Sequence, residues 1–267
     1  MNQRKYPTRE QLDVVDWIEG NLKIRGRPFI LDDYQRDIVM CDNSFRIINK
    51  ARKTGITTLT AAEALFKCMN NAEFLGIIVS KDDRASKYVL SFVEQLIHSF
   101  PKQISDNIVI DESKTEISFL NGSRLISLPC NPNAIRGFDA DYIWADEFAF
   151  FNESEKDNDI LFIAAAIPCL SVKQGGITLI STPNGKKGQF FQMWYEEPSE
   201  FAKIKIHWTE CRRLYGMIEK IKASLPQPKE LWFRQEYENS FEANIQGFIE
   251  KELLMLSIDD KLVLELQ

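Results

Sequence analysis

The segment that most constrains the fold is residues 45–58, which reads FRIINKARKTGITT. A short apolar run is followed at once by a polar turn with one glycine, and then by a pattern typical of a helix. A strand, a loop and a helix in this order form an anion-binding unit, because the loop amides and the helix N-terminus point at the same place. The segment therefore predicts a phosphate-binding loop of the Walker A type within an α/β fold.

The rest of the chain repeats the alternation of strand and helix. Runs that are apolar on both faces are typical of strands buried in a parallel sheet. Further strands of this kind are predicted at residues 74–80, 142–145 and 177–181. Helices are predicted at the N-terminus up to about residue 21 and over residues 57–69, 82–100, 155–169 and 226–239. This alternation predicts a mostly parallel central sheet flanked by helices.

Residues 108–128 have a different pattern. Three short strand-like runs follow one another, and Asn121-Gly122 between the last two is a hairpin-turn signal. The stretch predicts a small antiparallel β insertion. The predicted fold class is therefore α/β, a P-loop NTPase of the ASCE or RecA-like kind with one such insertion.

The phosphate loop departs from the Walker A consensus at two positions. Lys50 stands where the first glycine is expected, and Ile56 stands where the lysine is expected. Another cation must then neutralise the phosphates. Lys50 ranks first, because a long side chain at the loop entrance can fold back over the loop, and Arg52 and Lys53 follow. The alternative is a polar turn whose basic side chains are simply solvated.

Every residue of the loop is a predicted nucleotide contact. These residues are Lys50, Ala51, Arg52, Lys53, Thr54, Gly55, Ile56, Thr57 and Thr58. Gly55 allows the backbone to approach a phosphate closely. Thr57 places a hydroxyl where P-loop proteins bind Mg²⁺. ATP and Mg²⁺ are the predicted ligands.

A second motif, DYIWADE, ends an apolar strand with two adjacent carboxylates at residues 141–147. In the Walker B arrangement Asp146 would hold the Mg²⁺ shell, and Glu147 would orient and deprotonate the attacking water. The alternative is a strand followed by an acidic helix cap. The order of the two motifs along the chain, with the phosphate loop upstream, is that of a P-loop ATPase and favours the catalytic interpretation.

A third element follows the strand at residues 177–181. The sequence Thr182-Pro183-Asn184-Gly185 places polar groups at the carboxyl end of that strand. Ligands of open α/β sheets bind at such ends, so Thr182 and Asn184 are predicted to face the γ-phosphate. The alternative is a Pro-Asn-Gly turn that needs no ligand.

With these motifs in this order, the chain resembles the ATPase domain of phage large terminase subunits, the motors that pump DNA into procapsids. The segments that carry the resemblance are DDYQRDIV (32–39), KARKTGITT (50–58), AIRGFDADYIWADEFA (134–149), ISTPNGKKGQFF (180–191) and WFRQEYENSF (232–241). The family tolerates a Walker A loop whose lysine has moved to the entrance, as Lys50 has. Ile56 therefore fits the resemblance.

The resemblance implies two further roles. Gln35 matches the adenine-recognition segment of the family, and its alternative is a polar residue at a helix start. Arg136 resembles an arginine finger that acts on a neighbouring subunit of a ring, where a guanidinium accelerates phosphoryl transfer by orders of magnitude. Arg52, acting within its own subunit, competes for this role. The alternative for Arg136 is a surface ion pair with Asp139 or Asp141.

The resemblance also implies a domain plan. We expect the ATPase domain over residues 1–245, with a helical lead over 1–43, a core over 44–208 and a helical subregion over 209–245. Residues 246–267 would be a tail or linker toward a nuclease domain that this chain lacks, so no nuclease activity is expected. The expected function is an Mg-ATP-dependent, DNA-translocating motor ATPase of viral genome packaging. A helicase-like DNA-dependent ATPase and a non-hydrolysing nucleotide-binding scaffold are the alternatives.

Charge bears on the expected partners. The chain has 33 Lys and Arg against 39 Asp and Glu, a net charge of −6, which argues against a protein that mainly coats phosphate backbones. Residues 203–222 nevertheless carry six basic against two acidic side chains, and with Lys186-Lys187 they are candidates for contact with double-stranded DNA. The family implies a homo-oligomeric ring in the assembled state, with a monomer in isolation left open, a portal ring and procapsid, and a small terminase subunit. The expected location is the host cytoplasm, without a membrane.

Overall fold

One mixed sheet of eight strands carries the functional loops of this chain. A computed structural model describes residues 9–242, except 154 and 156. The strands are β1 (Lys23–Ile24), β2 (Arg27–Pro28), β3 (Phe45–Lys50), β4 (Leu75–Ser80), β5 (Val109–Glu112), β6 (Glu116–Phe119), β7 (Arg124–Pro129), β8 (Tyr142–Asp146), β9 (Gly176–Ser181) and β10 (Ala202–Ile206). Strands β1 and β2 form a separate two-stranded antiparallel sheet, and the other eight form the main sheet.

Helices cover the sheet and extend the chain at both ends. They are α1 (Arg9–Asn21), α2 (Asp33–Val39), α3 (Ile56–Asn70), α4 (Asp83–Ile97), α5 (Lys102–Ile108), α6 (Pro132–Ile135), α7 (Asn158–Ser171), α8 (Gly188–Tyr195), α9 (Arg212–Tyr215), α10 (Ile218–Ser224) and α11 (Lys229–Glu236), with 3₁₀ turns at Phe148–Glu153 and Trp208–Glu210. Within the described residues, no helix is long and apolar enough to span a membrane.

The strand order of the main sheet is β10-β3-β9-β8-β4-β7-β6-β5. The six strands from β10 to β7 are mutually parallel, and β6 and β5 then continue the sheet in antiparallel pairing. Because β3, β9, β8 and β4 are adjacent and parallel, their carboxyl ends meet at one edge of the sheet. The register places Asp146 opposite Ile180 and Ser80. All three predicted motifs therefore lie at the same edge.

The predicted fold class is confirmed. The predicted strands and the antiparallel hairpin at Asn121-Gly122 form, and Gly122 adopts the left-handed backbone conformation that such a turn requires (φ 84°). The insertion continues the main sheet, because β7 pairs with β4 on one side and with β6 on the other. The helical lead expected over residues 1–43 also contains the β1–β2 pair. The predicted domain limits remain a prediction, and the tail at 246–267 lies outside the described residues.

Alternate side chains of each central strand pack on opposite faces of the sheet, as the pleat requires. Ile48, Ile78 and Trp144 belong to the apolar cluster beneath α1 to α4. Their neighbours Ile47 and Ile143 belong to the cluster beneath α7 and α8. The sheet is thus buried on both faces, which fixes the strand ends that hold the loops.

A buried ion pair joins α3 to the sheet. The Arg46 guanidinium contacts both carboxylate oxygens of Glu63 at 2.7 and 2.8 Å and also donates to Thr178 Oγ1. Glu63 accepts a further bond from Trp144 Nε1 at 3.2 Å. Burial opposes ionisation of Glu63, but Arg46 outweighs it and lowers the pKa of this carboxyl. The helix that follows the phosphate loop is thereby tied to β3, β8 and β9.

The basic residues at 203–222 do not form one continuous strip. Lys203 and Lys205 lie on the edge strand β10, which the sequence pattern did not predict. Three of the six basic side chains are paired with acidic ones: Lys203 with Glu197, Arg213 with Asp32 and Lys222 with Glu230. Lys186 likewise pairs with Glu242 at 2.6 Å. Much of the positive charge assigned to DNA contact is therefore neutralised locally.

Candidate functional site

A cavity of about 450 Å³ opens at the carboxyl end of β3 and β8. Its lining comprises seven loop residues, two aromatic side chains of α4 and one carboxylate: Lys50, Arg52, Lys53, Thr54, Gly55, Ile56, Thr57, Tyr88, Phe92 and Glu147. The volume is within the range of small-molecule sites. Two of the three motifs predicted from the sequence therefore border one cavity.

The loop around the cavity has amides available for an anion. Lys53 and Gly55 adopt positive φ angles of 63° and 77°, a backbone geometry that turns successive N–H groups toward one point. Among the residues that the structure describes, no backbone carbonyl accepts a bond from the amides of Lys53, Thr54 or Gly55. The first turn of α3 adds amides that have no partner within the helix.

The start of the loop is different. The amides of Ala51 and Arg52 donate to the carbonyls of Ile206 and Glu236, both at 2.8 Å. They are therefore not available to a phosphate, although both residues were predicted as nucleotide contacts. Ile56 is 2% exposed and belongs to the apolar core, so only its backbone can contribute to an anion site. Thr58 does not border the cavity.

Lys50 and Glu147 face each other across the cavity. Lys50 Nζ donates to Glu147 Oε1 at 3.0 Å. Glu147 reaches this position because its backbone is left-handed (φ 57°) immediately after β8, a conformation that side-chain-bearing residues rarely adopt outside functional sites. Burial alone would lower the pKa of Lys50 and raise that of Glu147, but their attraction reverses both shifts. Both groups are charged at neutral pH.

Asp146 lies beside this pair and next to the loop. Thr57 Oγ1 donates to Asp146 Oδ2 at 3.4 Å. Burial, reinforced by the negative charge of Glu147, raises the pKa of Asp146 to about 6. A hydroxyl and a carboxylate in contact at the mouth of a phosphate loop are the protein ligands that Mg²⁺ takes when phosphates and water supply the rest. The residues present therefore fit Mg²⁺.

Arg52 borders the cavity from the other side. Its Nε lies 2.8 Å from Glu236 Oε2, and its side chain is 57% exposed. The Glu236 carboxylate is buried, with a side-chain exposure of 7%. Burial raises the pKa of Glu236, and the charge of Arg52 opposes this effect. Helix α11 thus supplies an acidic partner to the phosphate loop.

Gln35 contacts the loop but also serves its own helix. Its Oε1 accepts from the Asp32 amide at 3.0 Å, which completes a capping box at the start of α2. Its Nε2 lies 3.5 Å from the carbonyls of Thr54 and Gly55. The structure therefore places Gln35 beside the loop in the geometry of the helix-start alternative, and its role toward adenine remains a prediction.

Arg213 joins the same region from the C-terminal part of the chain. Its Nη2 donates to Asp32 Oδ2 at 2.9 Å, to Tyr34 Oη at 3.1 Å and to the Thr54 carbonyl at 3.2 Å. A Cβ atom added at Gly55 would lie 3.0 Å from this Nη2. The guanidinium is therefore packed closely against the backbone of the loop.

Thr182 and Asn184 lie behind the cavity and do not border it. Thr182 is 1% exposed. Asn184 Nδ2 donates to the carbonyl of Ala149 at 3.2 Å, and Ser181 Oγ accepts from the Ala149 amide at 3.2 Å. The end of β9 is thus bonded to the turn that follows Glu147, and contact of either residue with a γ-phosphate remains a prediction.

Arg136 is exposed and lies outside the cavity of its own chain. Its Nη1 donates to Asn133 Oδ1 at 3.2 Å. Asp141 pairs with Lys173 at 3.0 Å, so the surface ion pair between Arg136 and Asp141, considered from the sequence, does not form in the described part of the chain.

Four residues of the site were missed by the sequence-based prediction. They are Tyr88, Phe92, Arg213 and Glu236. Glu236 lies in the WFRQEYENSF segment, which was singled out but given no role. The other three lie in helices without a motif, and only the fold brings them to the loop.

Comparisons with known proteins agree with this geometry. The Thermus phage P74-26 large terminase ATPase domain has 19% sequence identity and a TM-score of 0.63, and the match covers 89% of this chain and 100% of that domain. The large terminase of bacteriophage HK97 (16% identity, TM-score 0.71) is matched over 86% of this chain and 55% of its own. The large terminase of a thermophilic bacteriophage in complex with ADP (13%, TM-score 0.58) is matched over 89% and 54%.

This chain therefore spans about half the length of the latter two large terminases. Residues 47–243 match the family described as terminase large subunit, T4likevirus-type, N-terminal. Because that match covers well over half of the sequence, the chain belongs to the T4likevirus-type terminase large subunit family, to its N-terminal part.

Proposed function

We propose that this chain hydrolyses ATP with Mg²⁺ at the cavity between β3 and β8. The observation that carries the proposal is the contact of Lys50 with Glu147 across a loop in which, within the described residues, the amides of 53–55 meet no backbone acceptor. A cation, a carboxylate and a set of anion-binding amides converge there within reach of one terminal phosphate. The family membership and the fold shared with terminase ATPase domains support the same activity.

In this proposal Glu147 is the general base. It accepts a proton from water as the water oxygen bonds to the γ-phosphorus and the bond to the β-γ bridging oxygen breaks, which releases ADP and phosphate. The depressed pKa of Glu147 keeps the carboxylate ionised for this step. Lys50 would turn from Glu147 toward the phosphates, which makes it the first candidate to replace the Walker A lysine. When bound, Mg²⁺ would neutralise phosphate charge, held by Thr57 and Asp146.

We further propose that the hydrolysis drives translocation of double-stranded DNA during viral genome packaging. The family and the similar structures support a role in a packaging motor. A ring of this chain at a portal, together with a small terminase subunit, is part of the same proposal. Since three of the six basic residues at 203–222 are paired with acids, each subunit is expected to contact few phosphates, and DNA binding should fall only gently with salt.

Arg136 would act between subunits. It does not border the cavity of its own chain, so it can reach a transferring phosphoryl group only in a neighbour. Arg52 is the candidate within the same chain, because it borders the cavity and its guanidinium is more than half exposed.

The test is the rate of ATP hydrolysis per subunit as a function of protein concentration. A site completed by a neighbour gives a rate that rises with concentration. Mixing Arg136→Ala with Glu147→Gln should then restore activity that neither variant has alone, because the mixed ring contains sites with both groups. A rate independent of concentration, with no gain on mixing, would remove Arg136 from the site, and absence of hydrolysis under all conditions would overturn the proposed activity.

A further inference from the structure

We propose that Glu236 is a positioning residue for Arg52, whose guanidinium it holds at the cavity wall until a bound polyphosphate displaces it. Helix α11 would thereby respond to whether the cavity holds a nucleotide. This inference rests on the proposed function, because it assumes that the cavity takes a nucleoside triphosphate.

The contact between the two side chains is asymmetric. Arg52 is 57% exposed and borders the cavity, whereas the Glu236 side chain is only 7% exposed. The guanidinium can therefore turn toward a ligand, but the carboxylate cannot follow it. The contact joins Arg52 Nε to one carboxylate oxygen at 2.8 Å and is not the bidentate fork that makes arginine–carboxylate pairs strong. A phosphate can offer Arg52 the better partner.

The backbone around this pair is fixed. The Arg52 amide donates to the Glu236 carbonyl at 2.8 Å. Asn239 Nδ2 donates to the Asn49 carbonyl and to Asn49 Oδ1, both at 3.0 Å, and Asn49 Nδ2 donates back to the Asn239 carbonyl at 3.3 Å. These bonds tie the end of α11 to the base of the phosphate loop. Only the two side chains are left to exchange partners.

The charges around the cavity are balanced without a ligand. Lys50 is paired with Glu147, and Arg52 with Glu236. A polyphosphate that enters adds negative charge and competes with both carboxylates for the two cations. Lys50 leaves Glu147 partly exposed to the cavity, but Arg52 would leave Glu236 buried without a counter-charge.

A buried carboxylate that loses its cation binds a proton more readily. Arg52, Lys50 and Glu147 are the charged groups that act on Glu236, and of these Arg52 has the largest effect. Departure of Arg52 should therefore raise the pKa of Glu236, so that nucleotide binding is coupled to proton uptake by this residue. The coupling would not arise if Arg52 and Glu236 stayed together.

The test is isothermal titration calorimetry with Mg-ATP-γ-S in two buffers of different ionisation heat. We expect Glu236→Gln to bind the nucleotide about fivefold or more tightly than the wild type, because the competitor for Arg52 is gone. We also expect the wild type to take up more protons on binding than the variant. Glu230→Gln is the matched control, since it removes one charge from the same helix at an exposed pair with Lys222.

Weaker binding by Glu236→Gln would overturn the proposal, because Glu236 would then orient Arg52 for the phosphate and not compete for it. Unchanged affinity together with unchanged proton uptake would mean that the pair persists in the bound state, which also overturns it. Thermal unfolding of each variant shows whether it is folded. If the wild type itself binds no nucleotide, the proposed function fails and not this inference alone.

Discussion

The ammonium of Lys50 lies 3.0 Å from the carboxylate of Glu147, a residue 97 positions further along the chain. One partner is the basic residue that enters the phosphate loop, and the other is the carboxylate that follows the neighbouring apolar strand. Parallel pairing of β3 with β9 and of β9 with β8 brings the two strand ends together. Each side chain holds the other in its charged form, and each is placed to act on the same phosphate.

Glu147→Gln should abolish ATP turnover and leave nucleotide binding intact. The amide fills the same space but cannot accept the proton of water, and loss of a general base costs about 100-fold or more in rate. Phosphate release and binding of a fluorescent ATP analogue would be measured on the same sample. Glu153→Gln, an exposed change in the turn after the same strand, is the control. Turnover within about threefold of wild type would remove Glu147 from its role.

Lys50→Ala should reduce kcat/KM far more than Lys53→Ala. Lys50 is buried and points into the cavity, whereas Lys53 is exposed at its rim. Removal of one preorganised charge from a transition state costs about 100- to 1000-fold, so we expect a loss of that size for Lys50 and a change within about threefold for Lys53. Equal losses in steady-state ATPase assays would contradict the displaced-lysine interpretation.

Dependence on Mg²⁺ should weaken as the pH falls through about 6. Burial, followed by the charge of Glu147, raises the pKa of Asp146 to about 6, and only the ionised carboxylate binds a cation. Titration of Mg²⁺ into protein and ATP analogue between about pH 5 and pH 8 would give the apparent affinity. The expected profile is a loss of affinity below about pH 6, and a flat profile in this range would exclude Asp146 as the ligand.

The same residue should make the protein less stable as the pH rises. A folded-state pKa above the ordinary value of 3.8 means that the folded state favours the protonated form. The stability from this group is therefore fully present below about pH 4 and is lost as the pH rises through about 6. Without Mg²⁺, Asp146→Asn should raise the free energy of unfolding at about pH 7.5 by about 2 kcal/mol. Urea titrations at about pH 4.5 and pH 7.5 would show whether the gain disappears at the lower pH.

Glu63→Gln should destabilise the fold without touching the cavity. It leaves the buried Arg46 guanidinium without its carboxylate, and such a loss costs about 3–5 kcal/mol. Glu116→Gln breaks the partly exposed pair with Arg124 and should cost less than about 1 kcal/mol. Urea denaturation of both variants makes the comparison, and a similar small loss in both would show that the buried pair adds little.

The central strands and their loops could be predicted because their information is local. Runs such as residues 45–49 and 177–181 are apolar on both faces, since helices cover the sheet on both sides. Predicted and observed strand limits there differ by one residue. The phosphate loop and the Asp146-Glu147 pair follow these strands directly, so their place at the sheet edge follows from the strand order.

Strand β10 could not be predicted in the same way. Its sequence AKIKI alternates basic and apolar residues, which in isolation reads as a basic surface. Parallel pairing with β3 decides its conformation, and that partner lies far upstream. The strand is at the edge of the sheet, where a charged side chain is tolerated.

The partners of the phosphate loop were missed for a related reason. Arg213 and Asp32 are 181 residues apart, and Arg213 and Thr54 are 159 apart. Glu236 reaches Arg52 only because α11 follows β10 around the edge of the sheet. No local pattern marks an acid or a guanidinium that will lie against a loop, and a charged residue in a helix usually faces water.

The position of β3 between β9 and β10 also determines when the site can be assembled during synthesis. The ribosome releases the chain from its N-terminus, yet both flanking partners of β3 are the last two strands of the sheet to be made. The amides at the loop entrance then wait for the carbonyls of Ile206 and Glu236. A nascent chain that has already exposed the entire phosphate loop would thus have no nucleotide site, and the site should form late and in one cooperative step, after nearly all of the described chain has been translated.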